Sequence, residues 1–308
     1  MRAAIVQTFV PRDLAHGLDV AGEMTRRAAK DGASVVVFPE TWLPGYPIWL
    51  DVCRDAALWD HAPVKAVFRR LAEQSVAVPS EACGRLAVIA RENRVVVVMG
   101  ISERVDEGTS RGTLFNSILT FDETGTLRNH HRKLVPTYTE RMVWGNGDAD
   151  GLATIDHGGV KVGALVCWEH WMPLARQAMH DAGEDLHAAL WPTVHEMHQV
   201  ASRHYAFEGR CYVLAAGSLM RARDLPAELE PHPAKVASPD TFVMRGGSAI
   251  IRPDGSYAVE PVYDREDILV ADIDTGMIRE QRMTLDVAGH YHRRDLLQLS
   301  VTRNTRCS

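Results

Sequence analysis

The chain has 308 residues, 46% of them hydrophobic, with 34 Lys and Arg against 40 Asp and Glu for a net charge of -6. That length supports one large domain or two modest ones around an ordinary core, and a weakly acidic balance gives no electrostatic basis for holding nucleic acid or an anionic membrane. The five cysteines (Cys53, Cys83, Cys167, Cys211 and Cys307) form no C-x-x-C pair, which speaks against a zinc, iron–sulfur or redox framework and for reduced thiols in a cytoplasmic protein.

The N-terminus enters an apolar run, Ala3 to Val6, read as a short buried strand and too short for a signal peptide; nothing approaches the roughly 18 consecutive apolar residues of a membrane span. A helix from about Gly17 to Lys30 follows, with Leu18, Ala21, Met24 and Ala28 at helical spacing and Gly32 beyond its end. Ala33 to Phe38 is a continuous β-branched run, the mark of a strand covered on both faces, and it stops at Pro39-Glu40-Thr41-Trp42. Leu43 to Trp59 is a loop rich in Pro, Gly and aromatics, then helices are predicted for Val64 to Gln74 and, with Ser80 as N-cap, on to Asn93. Val95 to Met99 is a further apolar strand.

Phe115 to Phe121 and the run from Leu127 flank Asp122-Glu123-Thr124-Gly125-Thr126, a hairpin signal, and the second strand leads into Lys133. A long loop from Tyr138 to Gly151 follows. Val160 to Val166 then delivers Cys167 into an aromatic turn, Trp168-Glu169-His170-Trp171. Next come a helix from about Pro173 to Ala182, a strand His187 to Trp191, a helix from about Glu196 to Arg210 and a strand Tyr212 to Ala216. About 220–241 holds four prolines and little periodicity and is read as a surface insertion. A second hairpin turns at Pro253-Asp254-Gly255, Ile268 to Ile273 closes the strand set, and about 280–308 reads as a polar tail. Roughly a dozen strands are too many for one sheet, so the expected architecture is α/β, two stacked mixed sheets flanked by helices in a single domain spanning 1–308.

Glu40, Lys133 and Cys167 each fall just past an apolar strand. Strand ends on one edge of packed sheets converge, and α/β proteins build sites there. A carboxylate, an ammonium and a thiol together are the parts for covalent addition to an electrophilic carbon: base, charge stabiliser and nucleophile. The covalent intermediate is formed on the cysteine, so neither metal nor organic cofactor is expected. His195 and His198 stand at helical i,i+3 spacing, but the sequence supplies no third ligand for a metal. Neither a dinucleotide nor a P-loop fingerprint is present.

The order Phe38-Pro39-Glu40, His131-Arg132-Lys133-Leu134-Val135-Pro136-Thr137 and Val166-Cys167-Trp168-Glu169 resembles the Glu-Lys-Cys triad of the nitrilase superfamily, over nearly the whole chain. Thr139 to Asp148 and Ala206 to Leu214 resemble the nitrilase branch more than its amidase or carbamoylase relatives. The resemblance implies an α-β-β-α sandwich that pairs into a four-layer homodimer or a larger spiral. It implies that Glu140 is a second active-site carboxylate, and that the substrate is a small organic nitrile, hydrolysed with water to acid and ammonia. Tyr46, Trp168, His170 and Trp191 are the candidate substrate contacts, His170 equally well a packing residue and Glu169 structural. The clustered aromatics favour an aromatic or arylaliphatic nitrile. Two alternatives remain open: an amidase or N-carbamoyl hydrolase using the same triad, and a catalytically silent binding or scaffold protein on this fold.

Overall fold

The computed structural model describes residues 1–303; Cys307 and the end of the tail lie outside them. In chain order the first half comprises β1 (Arg2–Gln7), α1 (Leu14–Lys30), β2 (Ala33–Val37), α2 (Trp49–Val52), α3 (Ala62–Gln74), β3 (Val76–Ala77), α4 (Glu81–Asn93), β4 (Val96–Arg104), β5 (Leu114–Phe121) and β6 (Leu127–Arg132). The second comprises β7 (Ile155–His157), β8 (Val160–Val166), α5 (Pro173–Asp181), β9 (Leu186–Leu190), α6 (Glu196–Gly209), β10 (Tyr212–Ala216), β11 (Leu219–Arg221), β12 (Phe242–Ile251), β13 (Tyr257–Tyr263), β14 (Asp267–Asp272) and α7 (Thr275–Arg282).

These strands form two mixed sheets. One runs β14-β1-β2-β4-β5-β6 with β3 beside β4, the other β11-β12-β10-β9-β8-β7 with β13 beside β12. In the first, Ala3, Ile5, Val35, Val37, Val96 and Val98 face the second sheet, while Ala4, Val6, Val36, Val97 and Met99 pack with Leu18 and Ala21 of α1 and Leu86 and Ala90 of α4. Successive strand residues point to opposite faces. Burial on both faces therefore demands the unbroken apolar runs seen in the sequence, each large aliphatic contributing about 1.5–3 kcal/mol. The second sheet is covered outside by α5 and α6 through Ala178, Met179, Ala201 and Tyr205. The result is the expected α-β-β-α sandwich.

Several elements differ from the sequence reading. Helix α1 starts earlier, at Leu14, because the Asp13 carboxylate accepts from the His16 N–H at 2.7 Å and caps it. Strand β4 runs on through Ser102, Glu103 and Arg104, polar residues that the apolar pattern left out. Around 220–241, Ala222, Leu225 and Leu229 are buried with Trp49, Trp144 and Met244 in a third cluster. Just before the tail, α7 starts on an Asp274 cap and buries Ile278, and Leu299 and Val301 also rest on the core. Among the described residues no helix is long and apolar enough to cross a membrane.

Candidate active site

Strands β1, β2 and β4 are mutually parallel, and β5 runs antiparallel between β4 and β6. Strands β2, β4 and β6 therefore all end at one edge, and β5 begins there. Glu40 follows β2, Lys133 follows β6, and Asn116 lies at the start of β5, where its carbonyl accepts the Lys133 N–H at 2.7 Å. Cys167 follows β8 of the opposing sheet. The Glu40 N–H donates across to the Trp191 carbonyl at 3.3 Å, tying the two edges together.

The side chains converge. Lys133 Nζ donates to Glu40 Oε1 at 3.1 Å and to Glu140 Oε2 at 2.7 Å, and all three residues are almost fully buried. Asn116 Nδ2 donates to Glu40 Oε1 at 2.6 Å, whereas Glu40 Oε2 is buried with no partner. Donor atoms of Glu40, Glu140 and Cys167 lie within 4.8 Å of one another. A metal ion would need the same three groups, but the Lys133 ammonium already takes both carboxylates, so the cation at this point is the lysine. His195 and His198 stand apart, with no third converging ligand among the described residues.

Glu140 sits in a 3-10 turn, Tyr138–Met142, whose start reads T-x-x-E; the Thr137 N–H donates to Glu140 Oε2 at 2.8 Å. Its other oxygen accepts from the Tyr46 hydroxyl at 2.8 Å. Cys167 has φ 51, a left-handed conformation that strains any residue but glycine and that marks sharp functional turns. Glu169 holds this turn to the lysine strand: it accepts from the Val166 N–H at 2.8 Å, the Leu134 N–H at 2.8 Å and the His131 ring. Burial alone would raise the Glu169 pKa, yet His131 and these N–H groups hold it below the usual carboxylate value.

Burial is the largest influence on Glu40 and pushes it up to about 7; Lys133 pulls back, and the neighbouring Glu140 charge adds to the rise. Burial likewise raises the Cys167 thiol well above its ordinary value, helped by Glu40 and opposed by Lys133 and by the Trp168 N–H. Burial opposes charge on Lys133, but the surrounding Cys167, Glu40 and Glu140 reverse this and keep it an ammonium. The site therefore holds a protonated thiol beside a carboxylate poised near neutrality and a permanent cation.

Residues 2–283 match the sequence profile of the carbon-nitrogen hydrolase family. The chain belongs to the carbon-nitrogen hydrolase family. It is 36% identical to a bifunctional nitrilase/nitrile hydratase of Lupinus angustifolius over 98% of this chain and 86% of that protein. It is also 36% identical to an aliphatic nitrilase of Sinorhizobium fredii, over 97% and 95%. In fold it resembles a carbon-nitrogen hydrolase from Helicobacter pylori with TM-score 0.71, at 20% identity and covering 92% of each chain.

Within this hydrolase the four candidate substrate contacts occupy different places. Tyr46 reaches the buried Glu40–Lys133–Cys167 cluster through Glu140. Trp168 is 53% exposed beside Trp171. Trp191 is fully buried, stacked on His170 at 4.8 Å and on His198 at 4.4 Å, and touches the site through its backbone. His170 is buried with both ring nitrogens engaged by protein atoms, at 2.6 Å to the Cys167 carbonyl and 3.0 Å to His187. A groove of about 520 Å³ lies beside Tyr46, lined by Val10, Trp49, Leu71 and Met220 among others, and holds none of the reactive side chains.

Asn116 and Gly100 were not singled out in the sequence. A Cβ at Gly100 would lie 2.1 Å from the Pro39 carbonyl and 2.7 Å from the Thr41 nitrogen, so the Glu40 turn rests directly on β4 where only glycine leaves room. The signal for Asn116 was the hairpin register: Ser117 pairs with Arg132, which puts Asn116 beside Lys133.

Proposed function

We propose that this carbon-nitrogen hydrolase is a nitrilase, converting an organic nitrile and two waters to a carboxylic acid and ammonia. The observation that carries the reading is the sealed convergence of Glu40, Lys133 and Glu140 on Cys167, in a chain aligned end to end with nitrilases. Glu40 takes the Cys167 proton as sulfur adds to the nitrile carbon, and that proton passes to the nitrogen, giving a thioimidate. Lys133 stabilises the negative charge that builds on nitrogen meanwhile, in a buried site where such stabilisation is strong. Glu40 next removes a proton from water as its oxygen adds to the carbon. The tetrahedral centre then bears sulfur, hydroxyl and amine.

Protonation of the amine expels ammonia and leaves a thioester, which a second water hydrolyses to acid and free thiol. Expulsion of the thiolate from the same centre would release the amide, a product consistent with the bifunctional name carried by one relative. A Glu40 pKa near 7 suits a group that must both take and return protons at neutral pH. Tyr46, Trp168 and the aromatic ring of Trp144, 5.8 Å from Tyr46, support an aromatic or arylaliphatic substrate. The exposed apolar side chains of Leu174, Met197, Val200 and Phe207 on α5 and α6 support self-association into a homodimer or larger oligomer.

The test is ammonia release from a panel of nitriles and their matching amides, with intact-mass measurement of the enzyme and a Cys167→Ala control. Nitrile turnover with an imidoyl or acyl adduct on Cys167 is expected. Turnover of amides alone would replace this reading with the amidase one, and turnover of neither would favour a silent scaffold.

A further inference from the structure

Behind the nucleophile turn runs a buried chain of polar side chains that the mechanism above does not use. His170 Nδ1 lies 2.6 Å from the Cys167 carbonyl, His170 Nε2 lies 3.0 Å from His187 Nε2, His187 Nδ1 lies 2.7 Å from Glu184 Oε1, and the Tyr205 hydroxyl donates to Glu184 Oε2 at 2.6 Å. All four residues are buried, and the Arg176 guanidinium fixes the His170 backbone from outside by donating to its carbonyl at 3.1 Å. A polar run this deep in an apolar layer is costly to keep unless every contact is satisfied.

The proton positions follow from the partners. A carbonyl oxygen can only accept, so His170 Nδ1 carries hydrogen. Burial, and then the charge of His187, push the His170 pKa well below its ordinary value, so the ring is neutral and its Nε2 is an acceptor. His187 Nε2–H donates to it, and the remaining proton lies between His187 Nδ1 and Glu184. The chain thus locks His170 in the one tautomer that can hold the Cys167 carbonyl.

That carbonyl shares its peptide plane with the Trp168 N–H, and in a trans peptide the two point in opposite directions. With the carbonyl pinned toward His170, the N–H points the other way, to the side of the Cys167 thiol, whose pKa it acts to lower. We propose that His170 is a positioning residue: by holding the Cys167 carbonyl it aims the Trp168 N–H at the substrate nitrogen that becomes anionic as Cys167 adds. The left-handed φ of 51 at Cys167 makes such an anchor necessary, because the backbone would otherwise relax out of that conformation. The proposal rests on Cys167 being the nucleophile of the proposed reaction.

The variants are His170→Phe, which keeps a ring and removes the donor, and His170→Asn, which keeps an N–H donor. On the best nitrile of the panel, H170F is expected to lower kcat about 10- to 100-fold with KM within about twofold, since a transition-state donor is misaimed. H170N should recover most of that loss. Alkylation of Cys167 by iodoacetamide forms no anionic nitrogen, so its rate should stay within about threefold. Unchanged kcat in folded H170F, no recovery in H170N, or an alkylation rate falling in step with kcat would each overturn the proposal. Should H170F not fold, long-range 15N–1H correlation of the imidazoles in wild-type protein decides, with His170 assigned by its absence in H170N. A protonated Nδ1 is expected, and an unprotonated one overturns it. Absence of nitrile turnover in the wild type would instead strike at the nitrilase reading, and the same comparison would then be made on amide hydrolysis.

Discussion

Two buried glutamates at the same end of the first sheet have opposite characters. Glu103, on β4, accepts from the Ser117 hydroxyl at 2.6 Å, the His130 ring at 2.8 Å and the Arg132 guanidinium. Burial alone would raise it, but these donors hold it down at about 2. Glu40 is just as buried, yet its donors crowd one oxygen, the other has none, and a second carboxylate lies beyond the shared lysine, so it is pushed up to about 7. Burial alone does not set the character of a carboxylate. What distinguishes them is whether the charge is fully satisfied: Glu103 has its partners already, while one oxygen of Glu40 has none, as the proposed role in proton transfer requires.

The largest effect expected from this contrast is on Glu40→Gln, which should lower kcat about 10³-fold or more, as for loss of a general base, with an unfolding midpoint no lower than wild type. Ammonia assays and urea unfolding on one preparation would check it, and a destabilised variant would erase the distinction. Glu103→Gln should do the reverse. Breaking a buried charged network removes about 3 kcal/mol of stability, while kcat in the folded protein stays within about threefold.

The finest test is pH, where the two groups carry opposite signs. Glu40 is raised from 4.5 to about 7, so its native form binds a proton more tightly than the unfolded chain, and the stability it contributes is full below about 4.5 and lost as pH rises toward 7. Glu103 is lowered from 4.5 to about 2, so its contribution is full above about 4.5 and lost as pH falls toward 2. Unfolding free energies should therefore show wild type losing ground to E40Q between pH 4.5 and 7, and its advantage over E103Q shrinking between pH 4.5 and 2. An acidic limb near pH 7 in kcat/KM, reporting the free enzyme's base, completes the set.

The same contrast explains what was legible in the sequence. Glu40 and Cys167 could be read because each terminates a run buried on both faces, which announces itself by composition, whereas Lys133 follows a polar, half-exposed strand and was legible from the hairpin signal before it and from the family resemblance. Glu103 could not: it continues a strand beyond its apolar part, and only partners distant in sequence make a carboxylate tolerable there. Asn116 was hidden inside an apolar strand and became visible through register. Helix α7 was missed because it is short and strongly polar, with Ile278 its buried residue. His170 was seen, but the direction in which its ring points depends on His187 and Glu184, which no spacing rule connects to it.

Glu40 and Lys133 belong to one sheet and Cys167 to the other, joined at the edge by the backbone bond from Glu40 to Trp191. The distance from Glu40 to Cys167 is therefore set by how thick the layer of side chains between the sheets is. Trimming Ile5, Val37 or Val162, all buried between the sheets and away from the cluster, would let the sheets settle closer or tilt, and reaction rates fall steeply with misplacement of the reacting groups. Turnover in this enzyme is consequently a gauge of its interior spacing, and heat or pressure that alters that spacing will be felt in the rate before the chain unfolds.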